Sequence, residues 1–588
     1  MTDEQRAIVM SSLPRNAVVH INAVAGSGKT STLRAWALAR PACRILYIVF
    51  NKEAQESAAT SMPPNVKART FHSLALEVVN ALFRARSLPP AAPSGFHKAP
   101  DFERAARTDA SPEIAAFIGR QGVPRWLSEL FGAYLRSTDL ALTQEIVDKL
   151  VDESQHLPRG VSSVLPLAKR AAMHALSAAW RATLRGTLPV TFDATIKIML
   201  INSPTVSANY DAVFIDEAQD FGRQYLAITL KWRETLPLIF VGDPNQKIYS
   251  WMGTANVFEE VEPTHRFELT QSFRFANAVA EFAQLITRKR IEGVSKGATR
   301  LEVVPSTDGT IPVALVFGHP TVVYIHRINV GLLLHAADIA RKRNRVRICI
   351  LGRGRQLLND VTALLDMKQN ESWKFEMRCR EAAASGEDAQ RRMLEWIEDS
   401  PEEVRAVVAL LSDCIVNKNQ EADVVLGTVH ATKGQEYDCV VLSDDLLPRS
   451  TREYKLMQMK RAARGGQPPS DDEDEGDGGG GGGGGGSLYG RAMAARAGSN
   501  AALQKELPAS DDETTDSEET ETNRGLVSRH PKIERSEPWR LVYVASTRAK
   551  RLLVCSKKLH RAVRKRGRAT WTGGAKEEED GAGSKRKR

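Results

Sequence analysis

Cysteine is scarce in this chain, with six among 588 residues: Cys43, Cys349, Cys379, Cys414, Cys439 and Cys555. No two form a Cys-x-x-Cys pair, so no zinc site, iron–sulfur cluster or disulfide framework is expected. Long apolar runs are absent, and Met1-Thr2-Asp3-Glu4 opens without an apolar signal core, so neither a membrane span nor a secretory leader is expected. The expectation is a soluble intracellular protein. At 42% hydrophobic residues the chain can fill packed cores, and its length exceeds what one core holds, which points to three or more domains. Lys and Arg (81) outnumber Asp and Glu (71), leaving +10; this suits a polyanionic partner and equally a solvated basic surface.

The chain does carry a phosphate cradle. The apolar run Ala17–Ile21 leads into Ala23-Val24-Ala25-Gly26-Ser27-Gly28-Lys29-Thr30, and the helix-like Ser31–Arg40 follows. Strand, glycine loop and helix thus occur in the order that wraps phosphate. Gly26 and Gly28 permit the tight turns, so the N–H groups of Ala25, Gly26, Ser27 and Gly28 can face an anion at the helix start. Lys29 is placed for the β- and γ-phosphates and the Thr30 hydroxyl for Mg²⁺. Asp216 ends the apolar strand Ala212–Ile215, where a metal carboxylate is needed, and Glu217 follows to orient or deprotonate the attacking water. Alone, a glycine loop can be a chance turn; the acidic pair after a strand sets this one apart. Ala23 departs from the general pattern, which has glycine there. ATP and Mg²⁺ are the cofactors expected.

Apolar runs at Ala17–Ile21, Ile45–Phe50, Ala212–Ile215 and Pro237–Val241 alternate with helical segments, the pattern of a parallel α/β sheet. A second set comprises Thr321–Ile325, Val346–Leu351, Asp423–Leu426, Cys439–Leu442 and Leu552–Cys555. The fold class expected is α/β, with two parallel-sheet domains and a nucleotide cleft between them. The expected division is a first domain at 1–83 and 196–278, with a helical insertion at 84–195. A second follows at 279–457 and 532–560, with a short helical insertion near 353–422. Residues 458–531 hold Asp471–Glu475, nine consecutive glycines from Gly478 and acidic Asp511–Glu521; they read as a disordered insert. It is open between a tether, a modifiable acidic segment and a plain loop expansion. Residues 561–588 form a basic tail, and the clusters Lys557–Arg568 and Lys585–Arg588 stay open between nuclear import, nucleic-acid contact and solvated charge.

The motif series resembles superfamily 1 helicases of the UvrD/Rep/PcrA type, whose two sheets are RecA-like, and within them the helicase core of eukaryotic F-box DNA helicases. The likeness runs in order through Thr2–Arg6, Phe50–Lys52, Thr70–Ser73, Gly242–Trp251, Leu269–Phe275, Thr428–Asp438 and Trp539–Lys550. It implies that Gln5 reads the adenine edge, Phe273 packs on adenine and Glu436 meets ribose. It implies that Gln246 senses the γ-phosphate, and that Arg274 and the finger Arg548 contact it. It places DNA at Phe50, Asn51, Phe71, His72, Tyr249, Trp251 and His430. The implied activity is that of an ATP-dependent DNA helicase moving 3′→5′ on single-stranded DNA, in replication, repair or recombination control. Implied partners are DNA junctions or forks and recombinase or replication proteins, and the implied location is the nucleus, a host's if the chain is viral.

Departures temper individual contacts: Met252, Ser31 and Gln435 stand where relatives often carry arginine, arginine and leucine. Gly352–Ala422 is short for the large second-domain insertion of bacterial relatives. Too little chain precedes Gln5 for an F-box, and too little follows Arg548 for a nuclease, so a bare motor is expected. Two other functions fit the same residues: a translocase that strips proteins from DNA with little unwinding, and an ATP-gated DNA-binding scaffold.

Overall fold

Six strands form the first sheet: β1 Val18–Ala23, β2 Ile45–Val49, β3 Val66–Thr70, β4 Ala212–Ile215, β5 Leu238–Gly242 and β6 His265–Leu269. They lie in the order β3-β2-β4-β5-β1-β6, all paired in parallel. The computed structural model describes all residues except 96, 98, 155–156, 159, 203, 205, 249–255, 298, 308–321, 344, 386–387, 448–536 and 569–588. Tyr249, Trp251, Met252, the insert 458–531 and Lys585–Arg588 therefore lie outside the described residues. Those described fall within one compact unit, 1–448 with 533–588.

Strands β2, β4 and β5 are buried throughout because helices cover both faces of the sheet. On one face Leu33, Trp36 and Ala37 of the helix Lys29–Leu38 pack with Ile45, Tyr47 and Phe214. On the other, Leu74 and Ala75 of Phe71–Ala85 and Ile196 and Leu200 of Phe192–Asn202 meet Leu46, Val213 and Phe240. Between β3 and β4 the chain makes a helical excursion with its own core of Phe117, Trp126, Leu127, Phe131 and Leu176.

A small ladder, β7 Gln271–Ser272 with β8 Glu292–Gly293, leads to the second sheet. This sheet comprises β9 Arg300–Val304, β10 Val322–His326, β11 Ile348–Ile350, β12 Ile415–Val416, β13 Val424–Thr428, β14 Tyr437–Leu442 and β15 Ala549–Ser556. Its order is β12-β11-β13-β10-β14-β15-β9, again parallel. The α/β class with two parallel sheets is borne out. Among the described residues no helix is long and apolar enough to cross a membrane.

Strands β4, β5 and β1 are neighbours, so the segments leaving their carboxyl ends converge at one sheet edge. Ligands of open parallel sheets bind at such an edge.

Candidate nucleotide site

The loop after β1 turns through Gly26 (φ +73°) and Gly28 (φ +78°), both left-handed. A Cβ on Gly26 would lie 2.6 Å from Cβ of Arg274 and 2.8 Å from Oγ of Ser272, so the loop passes this close only as glycine. Ser272 Oγ donates to Ala25 O at 2.8 Å, and Phe273 N donates to Gly26 O at 2.9 Å. The segment before the second sheet is thus fastened to the phosphate loop. Ser27 Oγ is buried and has no hydrogen-bond partner among the described residues. An orphaned hydroxyl in a cradle of glycine turns and one ammonium fits a phosphate, whose oxygens accept from all of them.

Lys29 Nζ donates to Glu217 Oε1 at 2.7 Å. Burial opposes the charge on Lys29, but Glu217, Asp216 and Asp243 outweigh it and raise its pKa above the ordinary lysine value. Asp216 accepts from the hydroxyl of Tyr47 at 2.6 Å and from Glu217 N at 2.9 Å. Burial raises its pKa, against the pull of Lys29. For Glu217 burial is overcome by Lys29 and Lys433, which hold its pKa at about 2. Glu217 also takes a left-handed backbone (φ +51°), uncommon for glutamate and of the kind that concentrates at functional sites. Its second oxygen accepts from Gln219 Nε2 at 2.5 Å. The exposed Thr30 and the Asp216 carboxylate offer the hard oxygen donors that suit Mg²⁺, which takes few protein ligands when phosphates supply the rest.

The second sheet delivers three groups to this edge. Arg548 is 2% exposed; its Nε donates to Val544 O at 3.0 Å and its Nη2 to Gln246 Oε1 at 3.0 Å, across the cleft. Burial and the neighbouring Arg274 lower its pKa to about 10, so it stays cationic at neutral pH. Lys433 Nζ donates to Gln246 O at 2.8 Å and pairs with Asp220. Tyr543 donates to Asp243 Oδ2 at 2.7 Å and accepts from Ala25 N at 3.3 Å. Gln246 Nε2 donates to the same Asp243 oxygen at 2.9 Å, closing a network from phosphate loop to second sheet. Arg274 donates to Glu436 at 2.8 Å and to Thr547 O at 2.9 Å, so Glu436 here engages a guanidinium.

Gln5 Nε2 donates to Ser27 O at 3.2 Å, and its Oε1 completes a capping box with Thr2. Phe273, 47% exposed, lies beside Gly28, giving an amide and an open aromatic face at one end of the cradle. Phe50 is exposed, and Asn51 caps the helix Lys52–Ser61 by accepting from Ala54 N at 2.8 Å. His72 meets Phe192 and Tyr225 edge-on. His430 donates through Nε2 to Ile248 O at 3.1 Å, tying the sheets together; burial keeps its pKa below the ordinary histidine value. Phe71 is buried, stacked on Tyr225 at 4.4 Å and flanked by Phe221 and Trp232.

Sequence reasoning missed Tyr543, Lys433, Asp243, Gln219 and Tyr47. Tyr543 and Lys433 lie inside segments already singled out, but nothing in a Leu-Val-Tyr-Val run distinguishes a bridging phenol from a core one.

An AAA domain family matches residues 5–252, the segment that carries the cradle, Asp216 and Gln246. The chain is similar to F-box DNA helicases over about 76% of its length. It is 27% identical over 475 residues to F-box DNA helicase 1 of Gallus gallus, covering 45% of that protein. It is 28% identical over 499 residues to F-box DNA helicase protein 1 of Schizosaccharomyces pombe, covering 53%. The ATP-dependent DNA helicase PcrA of Leuconostoc citreum is 27% identical over 211 residues, 30% of this chain and 28% of that one. The chain thus spans about half the length of the F-box helicases it matches.

Proposed function

We propose that this chain is an ATP-dependent DNA helicase that translocates 3′→5′ on single-stranded DNA at junctions or forks. The observation that carries this reading is the contact of Arg548 with Gln246 across the cleft. A cation held on one sheet and lodged beside the phosphate cradle of the other is what a cleft-closing hydrolase requires. Lys29 and the loop N–H groups hold the β- and γ-phosphates, and Thr30 and Asp216 would hold Mg²⁺, which would supply charge neutralisation. Glu217, kept ionised, orients the attacking water. Arg274 and Arg548 offset charge developing on the transferring group. Gln5 and Phe273 hold the base, and Glu436 reaches ribose once Arg274 turns to phosphate.

The DNA contacts proposed are Phe50, Asn51, Phe71, His72 and His430, and Tyr249 and Trp251, outside the described residues, are proposed for the same role. The domain division proposed is 1–83 with 196–278, then 279–457 with 532–560, with 84–195 as an insertion. The setting proposed is the nucleus.

The test is steady-state ATP hydrolysis with and without single-stranded DNA. DNA should stimulate the wild type, and both Lys29→Ala and Arg548→Ala should lose the stimulated turnover, by on the order of 10³-fold for the arginine. Undiminished turnover in Lys29→Ala would refute the site, and no stimulation of the wild type would refute the motor.

A further inference from the structure

The helix Lys557–Arg568 follows β15 with the sequence Lys-Lys-Leu-His-Arg-Ala-Val-Arg-Lys-Arg-Gly-Arg, without a carboxylate. Its inner face is fixed. Leu559 and Val563 are buried, Arg566 donates to Ile286 O at 2.9 Å and lies over the Trp539 ring at 4.9 Å, and His560 stacks on Phe282. Besides Lys558, the exposed cations are Lys557, Arg561, Arg564, Lys565 and Arg568. Their spacing (i, i+4, i+7, i+8, i+11) sets them on one helical stripe.

These five line a groove of about 460 Å³ beside the edge strand β9, and none forms an ion pair among the described residues. Other surface arginines differ: Arg44 pairs with Asp211 and Arg347 with Asp423. Five like charges with no counter-ion among the described residues repel one another unless a polyanion offsets them. A twelve-residue helix is ~18 Å long, and duplex DNA carries one phosphate per ~3.4 Å of axis on each strand, so the stripe is long enough to meet several phosphates of a duplex. The exposed stripe has no aromatic on which an unstacked base could sit, and gripping single strands relies on such stacking. Backbone contact to a duplex does not.

We infer that the outer face of the helix Lys557–Arg568 is a docking surface for the phosphate backbone of duplex DNA, sharing no residue with the nucleotide cleft. This rests on the DNA-motor reading and extends it: the protein holds the duplex flank of a junction while its cleft works the single strand.

The test compares the full chain with a variant carrying Lys557→Gln, Arg561→Gln, Arg564→Gln and Lys565→Gln; Arg566, which packs inward, is kept. Binding of a blunt 20-base-pair duplex is measured from 50 to 200 mM salt. Loss of four phosphate contacts lowers the log–log salt slope by ~3–4, so over this range the wild type should lose roughly a hundredfold more affinity than the variant. Hydrolysis stimulated by a short single strand should stay at the wild-type level in the variant. Equal slopes would overturn the proposal. So would unchanged duplex binding with lost retention of poly-glutamate, which would assign the surface to an acidic protein instead. If the wild type shows no strand-stimulated hydrolysis, the motor reading falls, while the duplex slopes still decide this surface.

Discussion

Tyr543 lies wholly inside the protein, and its hydroxyl serves Ala25 N and Asp243 at once. Tyr543→Phe keeps the ring and removes both bonds, and an unsatisfied buried polar group costs ~1–3 kcal/mol. The expected outcome is a lower thermal midpoint and about tenfold slower strand-stimulated hydrolysis, with nucleotide affinity changed less; an unchanged midpoint would show that the bridge carries nothing. Lys29, Asp216 and Glu217 were legible because their chemistry is tied to the ends of apolar strands. Tyr543 was not, because the polarity of its partners, Asp243 and Ala25 N, enters only through contacts about 300 and 518 residues away in sequence. The stacking of Tyr225 on Phe71 was hidden likewise, since the motif position of Phe71 says nothing of a residue 154 positions away.

At the scale of elements, strands buried on both faces announced themselves. β2, β4, β5, β10, β11 and β13 to β15 are runs of apolar residues, whereas β3, β6, β9 and β12 escaped notice, and these four are the edges of the two sheets. An edge strand needs no continuous apolar run: Val-Lys-Ala-Arg-Thr of β3 and His-Arg-Phe-Glu-Leu of β6 keep polar residues toward water. The phosphate loop carries the sharpest prediction at this scale. Gly26→Ala adds a methyl where Arg274 Cβ lies 2.6 Å away and demands a backbone conformation that alanine disfavours by roughly 1–2 kcal/mol. Nucleotide affinity, followed with a fluorescent ATP analogue, should fall at least tenfold while the circular dichroism spectrum stays native. Retained affinity would mean that the contact between loop and Arg274 yields freely.

Over the whole molecule, stability should carry two opposed pH signatures from one acidic segment. Burial raises Asp220 from 3.8 to about 6, against the pull of Lys433, so the native state binds that proton more tightly than the unfolded chain does. Its contribution is present below about pH 4 and is lost as the pH rises to about 6, corresponding to roughly 3 kcal/mol. Glu217, held at about 2 instead of 4.5, contributes above its unfolded pKa and loses that contribution as the pH falls toward 2. Denaturant titrations of wild type and Asp220→Asn should therefore diverge between pH 4 and 6, the wild type falling relative to the variant. Parallel curves through that window would remove Asp220 as the source.

Strand β9 pairs only with β15 among the described residues, and β15 is Ala549–Ser556. On a ribosome, some 250 residues emerge after β9 before its neighbour exists, and the helix Glu537–Ser546, which bears Tyr543, emerges in the same late stretch, with Arg548 just after it. The first sheet, complete at Leu269, can fold and take up nucleotide long before any guanidinium from the second sheet can reach it. Synthesis from one end thus completes the glycine loop and Glu217 well before Tyr543 and Arg548 can reach them, and leaves one flank of β9 without its partner strand until the last.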